Sequence, residues 1–114
     1  MLVNFDNVEH YLWGDGCDGW HFLNNPELSV IVERMPAGTC EVRHYHERAQ
    51  QFFFVLEGQA TLELAGTIHI LNSQEGCAVP VGYSHQLCNY NSADLRFLLV
   101  SSPHSHGDRV VVEG

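Results

Sequence analysis

The stretch "GTCEVRHYHERAQQFFFVLEG", residues 38–58, decides how this chain is read. His44 and His46 stand two apart, and residues two apart in a strand project from the same face. Two imidazoles placed that way can reach one ion at about 2.0–2.1 Å. Five residues beyond His46, Gln51 precedes a wall of aromatics, a neutral amide where a carboxylate would bind a cation better. A His-x-His pair alone is weak evidence for a metal. A third histidine strengthens it: in "PVGYSHQLCN", residues 80–89, Pro80 and Gly82 set a turn that hands the chain into a strand, and His85 sits near that strand's beginning.

The remainder of the chain has the punctuation of an all-β domain, with short apolar or alternating runs separated by Gly, Pro, Asn, Asp and Ser. Strands are expected over residues 28–35, 39–46, 50–57, 59–64, 67–71, 77–81, 84–90 and 94–101, and nothing reads as a long amphipathic helix. Many strands on short links imply a sandwich or barrel, with Ala65 and Gly66 at the tip of one hairpin. Residues 1–26 read as a turn-rich N-terminal flap whose Trp13 and Trp20 cover a core edge. Residues 102–114 form a tail with one more short apolar run, able to pair as an extra strand. In "QQFFFVLE", Gln51, Phe53 and Val55 face one side and Phe52, Phe54 and Leu56 the other, so both faces are apolar. Such a strand needs a second cover, which a symmetric partner supplies; the expectation is a homodimer.

A chain of 114 residues makes a single domain, 1–114, with one real core. Fourteen acids oppose five bases, all arginine, for a formal charge of −9. Nucleic acid and membrane surfaces are excluded as partners, because both require clustered positive charge. The first residues carry no basic segment or apolar signal core, so a cytoplasmic location is expected. Cys17, Cys40, Cys77 and Cys88 are scattered without a CxxC pair and read as free buried thiols.

The chain resembles the cupins, jelly-roll β-barrels carrying two motifs. Gly38, His44, His46 and Gly58 match the first in register, with Gln51 at its glutamate position. Pro80, Gly82, His85 and Asn89 match the second, although Gly76 stands two residues closer to the proline than the pattern asks. The resemblance covers residues 38–89 and implies an all-β cupin jelly roll with one divalent metal ion in its mouth. Its ligands would be His44, His46 and His85, with Gln51 as a fourth or a near neighbour; Gln50 is the adjacent alternative, disfavoured by alternation and by the spacing to Gly58. Imidazole donors suit zinc, iron, nickel or copper, and losing the carboxylate disfavours manganese and magnesium.

Three neutral imidazoles and open positions describe a site that polarises a bound oxygen. The function expected is that of a mononuclear metal cupin acting on a small organic oxyanion or carbonyl compound, as an oxygenase, lyase or isomerase. The alternative is a non-catalytic cupin that binds or senses a small ligand. No acid or base is identifiable in the pocket from the sequence. Val42, Phe53, Val55, Leu62, Leu64, Ile68, Ile70 and Leu87 are expected to form an apolar face near the metal, with His69 pointing outward. Arg43 and Tyr45 should face away from the ion. His104 and His106 read as a solvated pair, and Asp108 with Arg109 as an interface salt bridge.

Overall fold

The computed structural model describes residues 1–113 and is built of β-strands in two antiparallel sheets. The strands are β1 (Glu9–Trp13), β2 (Cys17–Asn25), β3 (Leu28–Met35), β4 (His44–His46), β5 (Gln50–Glu57), β6 (Ala60–Leu64), β7 (Thr67–Leu71), β8 (Gly76–Val79), β9 (His85–Cys88), β10 (Leu95–Ser102) and β11 (Arg109–Val111). One sheet runs β1-β2-β3-β10-β5-β8 and the other β11-β4-β9-β6-β7. Among the described residues no helix is long and apolar enough to cross a membrane.

Alternation places the core between the sheets. Phe53 and Val55 of β5, Leu62 of β6, Leu87 of β9 and Leu95 and Phe97 of β10 are all buried and form one cluster with Met35. Phe52 and Leu56 point the opposite way from β5 and are 41% and 38% exposed. The β6–β7 hairpin turns at Ala65 (φ 48°) and Gly66 (φ 89°), two positive-φ residues whose twist suits a two-residue connection. Asn89, fully buried, fastens the end of β9 to its surroundings. Its amide donates to the carbonyls of Met35 and Ala93 at 2.9 Å, and its Oδ1 accepts from the Asn91 N–H.

Several expectations are corrected. The segment read as a turn-rich flap contains β1 and β2, which extend the larger sheet beyond β3; Gly14, Asp15 and Gly16 make the link between the two strands. Trp13 does pack on the core. Residues 40–43 are irregular, leaving only three residues of strand in β4. Cys40 faces Cys88 in an isolated bridge with Cα atoms 4.1 Å apart and is joined to it by a disulfide. Sequence spacing could not show this pairing, because 48 residues separate the two; Cys17 and Cys77 are free as expected. His69 lies opposite buried Leu62 in the β6–β7 register, so it faces inward while Ile68 and Ile70 are 59% and 50% exposed. The tail pairs with β4 as β11.

Leu62 has no solvent exposure and sits at the centre of the core cluster. Leu62→Ala is expected to lower unfolding stability by about 2–5 kcal/mol, read as a shift in urea midpoint without a change in slope.

Candidate metal centre

The smaller sheet brings the three motif histidines together. His44 and His46 project from one face of β4, and His85 at the start of β9 is the direct cross-strand partner of His44. His85 is fully buried, and His44 and His46 are 5% and 6% exposed. The ring centroids lie 4.5 Å apart for His44 and His85, and 4.9 Å for His44 and His46. One ring nitrogen from each lies within 4.8 Å of the others.

Each ring is oriented through its Nδ1. That of His44 donates to the Val42 carbonyl at 2.7 Å, that of His85 to the Tyr83 carbonyl at 3.1 Å, and that of His46 to Asp108 Oδ1 at 2.6 Å. Because a carbonyl or carboxylate only accepts, the proton of each neutral ring belongs on Nδ1, and Nε2 carries a free lone pair. Burial pushes the His44 imidazole down to about 4, outweighing the opposing pull of its Val42 bond, and burial likewise lowers His85. Those two rings are therefore neutral at pH 7, the state that can donate to a cation.

Gln51 approaches from β5 in the other sheet. It is 5% exposed, lines the same cavity as His44 and His46, and its Nε2 donates to Ser101 Oγ at 3.0 Å. Its Oε1 is buried without a partner, and so is His85 Nε2. Buried polar atoms are nearly always satisfied, and these two acceptors, on residues that each neighbour His44 and His46, are left open to a donor or a cation. A divalent transition ion fits this donor set, which offers three imidazole nitrogens and an amide oxygen.

Asp108 departs from the salt bridge expected at the sequence level. It is 4% exposed, accepts from His46 Nδ1, and takes the backbone N–H groups of Arg48 and Ala49 on its other oxygen. Burial alone would raise its pKa, but the bond from His46 and those two N–H groups hold it below the usual carboxylate value. It thus orients a candidate ligand from the residue just before β11, a role that β11–β4 pairing creates and local spacing does not reveal. The neighbouring Arg109 side chain lines the cavity instead of meeting Asp108. Arg43 faces elsewhere, paired with Glu63.

The cavity has a volume of about 510 Å³. Trp13, Ile31 and Leu99 give it apolar walls, whereas Ile68 and Ile70 lie outside it and Phe53, Leu62 and Leu87 belong to the core. Val42 lines it, as expected, at 52% exposure. His106 is exposed and also lines it, with its N–H bonded to His104 Nδ1 at 3.2 Å. Two acids missed at the sequence level are present in the cavity: burial raises Glu33 to about 7 and Glu41 to about 8. Glu33 follows Ile31 and precedes Met35 on one face of β3, so an acid on an inward register was the available signal.

A family model described as a cupin domain matches residues 31–101. The polyketide synthase CurC of Streptomyces cyaneus is 28% identical over 60 residues, 53% of this chain; the chain thus spans only 39% of that relative's length. The structure of KdgF from Halomonas sp. superposes with a TM-score of 0.84 at 20% identity, covering 91% of this chain and 95% of that one. Pac13, a nucleoside dehydratase of Streptomyces, superposes with a TM-score of 0.82 at 15% identity, covering 99% of this chain and 91% of that one. At these identities the two structures show a shared fold.

Two predictions follow from the geometry. Asp108→Asn places an NH₂ group among N–H donors and frees His46, so metal retention should fall about 10- to 100-fold in competition with a chelator. Glu41 binds its proton up to about pH 8 in the folded chain but loses it near 4.5 when unfolded, so its contribution is full below 4.5 and lost as pH rises through about 8. In chelator-treated protein, Glu41→Gln should therefore gain stability relative to the parent between pH 5 and 9, by about 1 kcal/mol or more in urea titrations.

Proposed function

The chain belongs to the cupin family, and from that premise we propose that it binds one divalent transition metal ion through His44, His46, His85 and Gln51 and acts on a small organic oxyanion or carbonyl compound. The observation that carries this reading is the pair of buried, partnerless acceptors, His85 Nε2 and Gln51 Oε1, beside two further imidazoles whose protons are held on Nδ1. Zinc, iron, nickel or copper suits the donors. Bound there, the ion would supply Lewis acidity toward a substrate oxygen.

The protein's own groups do the rest. Asp108 fixes the His46 ring, Ser101 holds the Gln51 amide, and the irregular segment before β4 supplies the Val42 carbonyl that sets His44. Trp13, Ile31 and Leu99 reduce the water around a bound ligand. Arg109 brings a positive charge into the cavity of a chain that is otherwise strongly acidic, which favours an anionic ligand at short range. Glu33 and Glu41 give the cavity titratable acids and so favour an enzyme over a passive binder. Among oxygenase, lyase and isomerase chemistry, the fold shared with a nucleoside dehydratase favours the lyase branch by analogy. A homodimer through the outer face of β5 would cover the exposed Phe52 and Leu56.

Metal analysis of the protein as isolated should give about one transition ion per chain, and His85→Ala should abolish it. Gln51→Glu should hold the ion longer against a chelator and bind small carboxylates more weakly, because the added negative charge offsets part of the ion's. Protein free of transition metal, or unchanged metal content in His85→Ala, would refute the assignment.

A further inference from the structure

The cavity has a second polar wall, on the larger sheet, in which Glu33 is held by groups not yet given a role. Tyr11 on β1, Gly19 on β2 and Glu33 on β3 form one row across the larger sheet, Tyr11 opposite Gly19 and Gly19 opposite Glu33. The Tyr11 phenol passes over Gly19 and donates to Glu33 Oε2 at 2.5 Å. A Cβ at position 19 would stand 2.4 Å from Tyr11 Cζ and 2.5 Å from its Oη, so only glycine leaves the passage open. Tyr11 and Glu33 both line the cavity that His44, His46 and Gln51 line, and Arg109 lines it as well. The sheet is thus shaped to hold a carboxyl in a fixed orientation within reach of the presumed ligand.

We propose that Glu33 is the proton-transfer residue of this cavity and Tyr11 its positioning residue, so that the reaction is an isomerisation or an elimination beginning at a carbon next to a carbonyl. The proposal deepens the reading of the cavity as a site for a small carbonyl compound and rests on it. The Glu33 carboxylate takes the proton from that carbon; the C–H bond breaks, its electron pair forms a C=C bond, and the carbonyl π pair moves to oxygen. For isomerisation of a substrate with a hydroxyl on that carbon, the hydroxyl proton passes to the enolate oxygen, Glu33, now an acid, gives its proton to the former carbonyl carbon, and the C=O bond re-forms at the carbon that lost the proton. For elimination it gives the proton to a β-hydroxyl, which leaves as water while the enolate pair forms the new double bond. Neither branch needs an oxidant or reductant.

The surroundings suit these steps. Burial places Glu33 near neutrality, where a carboxyl can both take and return a proton, while the Tyr11 bond and the Arg109 charge pull in the opposite direction. Burial, together with Glu33 and Asp18, pushes the phenol well above its ordinary value, so Tyr11 stays protonated and serves as a fixed donor. The charged and titratable groups bearing on the pair are Asp18 and His21 on β2, the His21 ring lying 4.6 Å from that of Tyr11, Arg109 on β11, and Glu41, which feels Glu33 directly.

The test follows deuterium entering C3 of 2-oxobutanoate in D₂O by proton NMR, with metal content measured on each preparation. The parent protein should exchange well above buffer. Glu33→Gln should lose about 100-fold or more while keeping its metal and its urea midpoint. Tyr11→Phe, and Gly19→Ala by displacing the phenol, should retain part of the exchange with the midpoint of the pH–rate profile moved upward, because a bond that favours the ionised carboxylate is gone; a purely structural pair would leave that profile in place. Parent-level exchange in Glu33→Gln, absence of exchange in the parent, or loss of exchange only in step with loss of metal would overturn the proposal. Exchange that depends on Glu33 in parent protein free of metal would support it while removing the metal assignment.

Discussion

The mutual facing of His44 and His85 across β4 and β9 is the constraint on which the rest of the site depends. Bringing two buried imidazoles, with a third beside them, into one place costs free energy through desolvation and through lone pairs turned toward one another. The fold offsets that cost with fixed acceptors behind each ring: two backbone carbonyls and one buried carboxylate. Those acceptors also decide the tautomer, and hence which nitrogen faces inward. Because β4 is only three residues long, its position comes from neighbours on both sides, β9 and β11. Asn89 and the Cys40–Cys88 bridge fasten the far end of the same pair of segments.

The two sheets divide the work. The smaller sheet carries the imidazoles and, through β11, the carboxylate that orients one of them. The larger sheet supplies Gln51, the apolar walls and the Tyr11–Glu33 pair. A ligand between them would meet neutral nitrogen donors on one side and a hydrogen-bonded acid on the other, with Arg109 at the cavity as a source of positive charge. Buried titratable groups of opposite sign preference line one cavity here: the His44 imidazole is depressed and the Glu33 carboxyl raised, both by burial. At pH 7 the imidazole is neutral and the carboxyl is poised between its two forms, the condition that the proposed proton transfer requires.

Much of this was legible in the sequence, because strand period acts residue by residue. The limits of β3, β5 and β7 follow from alternation and turn residues, the shared face of His44 and His46 from their spacing, and His85 as their third partner from the resemblance to the two cupin motifs. The readings failed where long-range pairing decides the outcome. Ile68 and Ile70 look like core residues, but the register with β6 turns His69 inward instead. Asp108 looks like half of a surface ion pair until β11 is laid against β4, and Cys40 looks like a free thiol until it meets Cys88. The N-terminal segment, whose Gly and Asp cluster reads as turns, hides two strands whose partners cannot be inferred from composition. Tyr11 has meaning only once Glu33 is its neighbour across β2.

The row from Tyr11 through Gly19 to Glu33 has a consequence for how such a protein diversifies. The hairpin of β1 and β2 sits at the margin of its sheet, hydrogen-bonded into it through β3 alone, yet it supplies the phenol that clasps an interior acid. Exchanging that hairpin for another would alter the chemistry offered to a ligand without replacing His44, His46 or His85. The peripheral ribbon is thus a separable cassette, through which local sequence drift can change what faces the three imidazoles while the imidazoles stay in place.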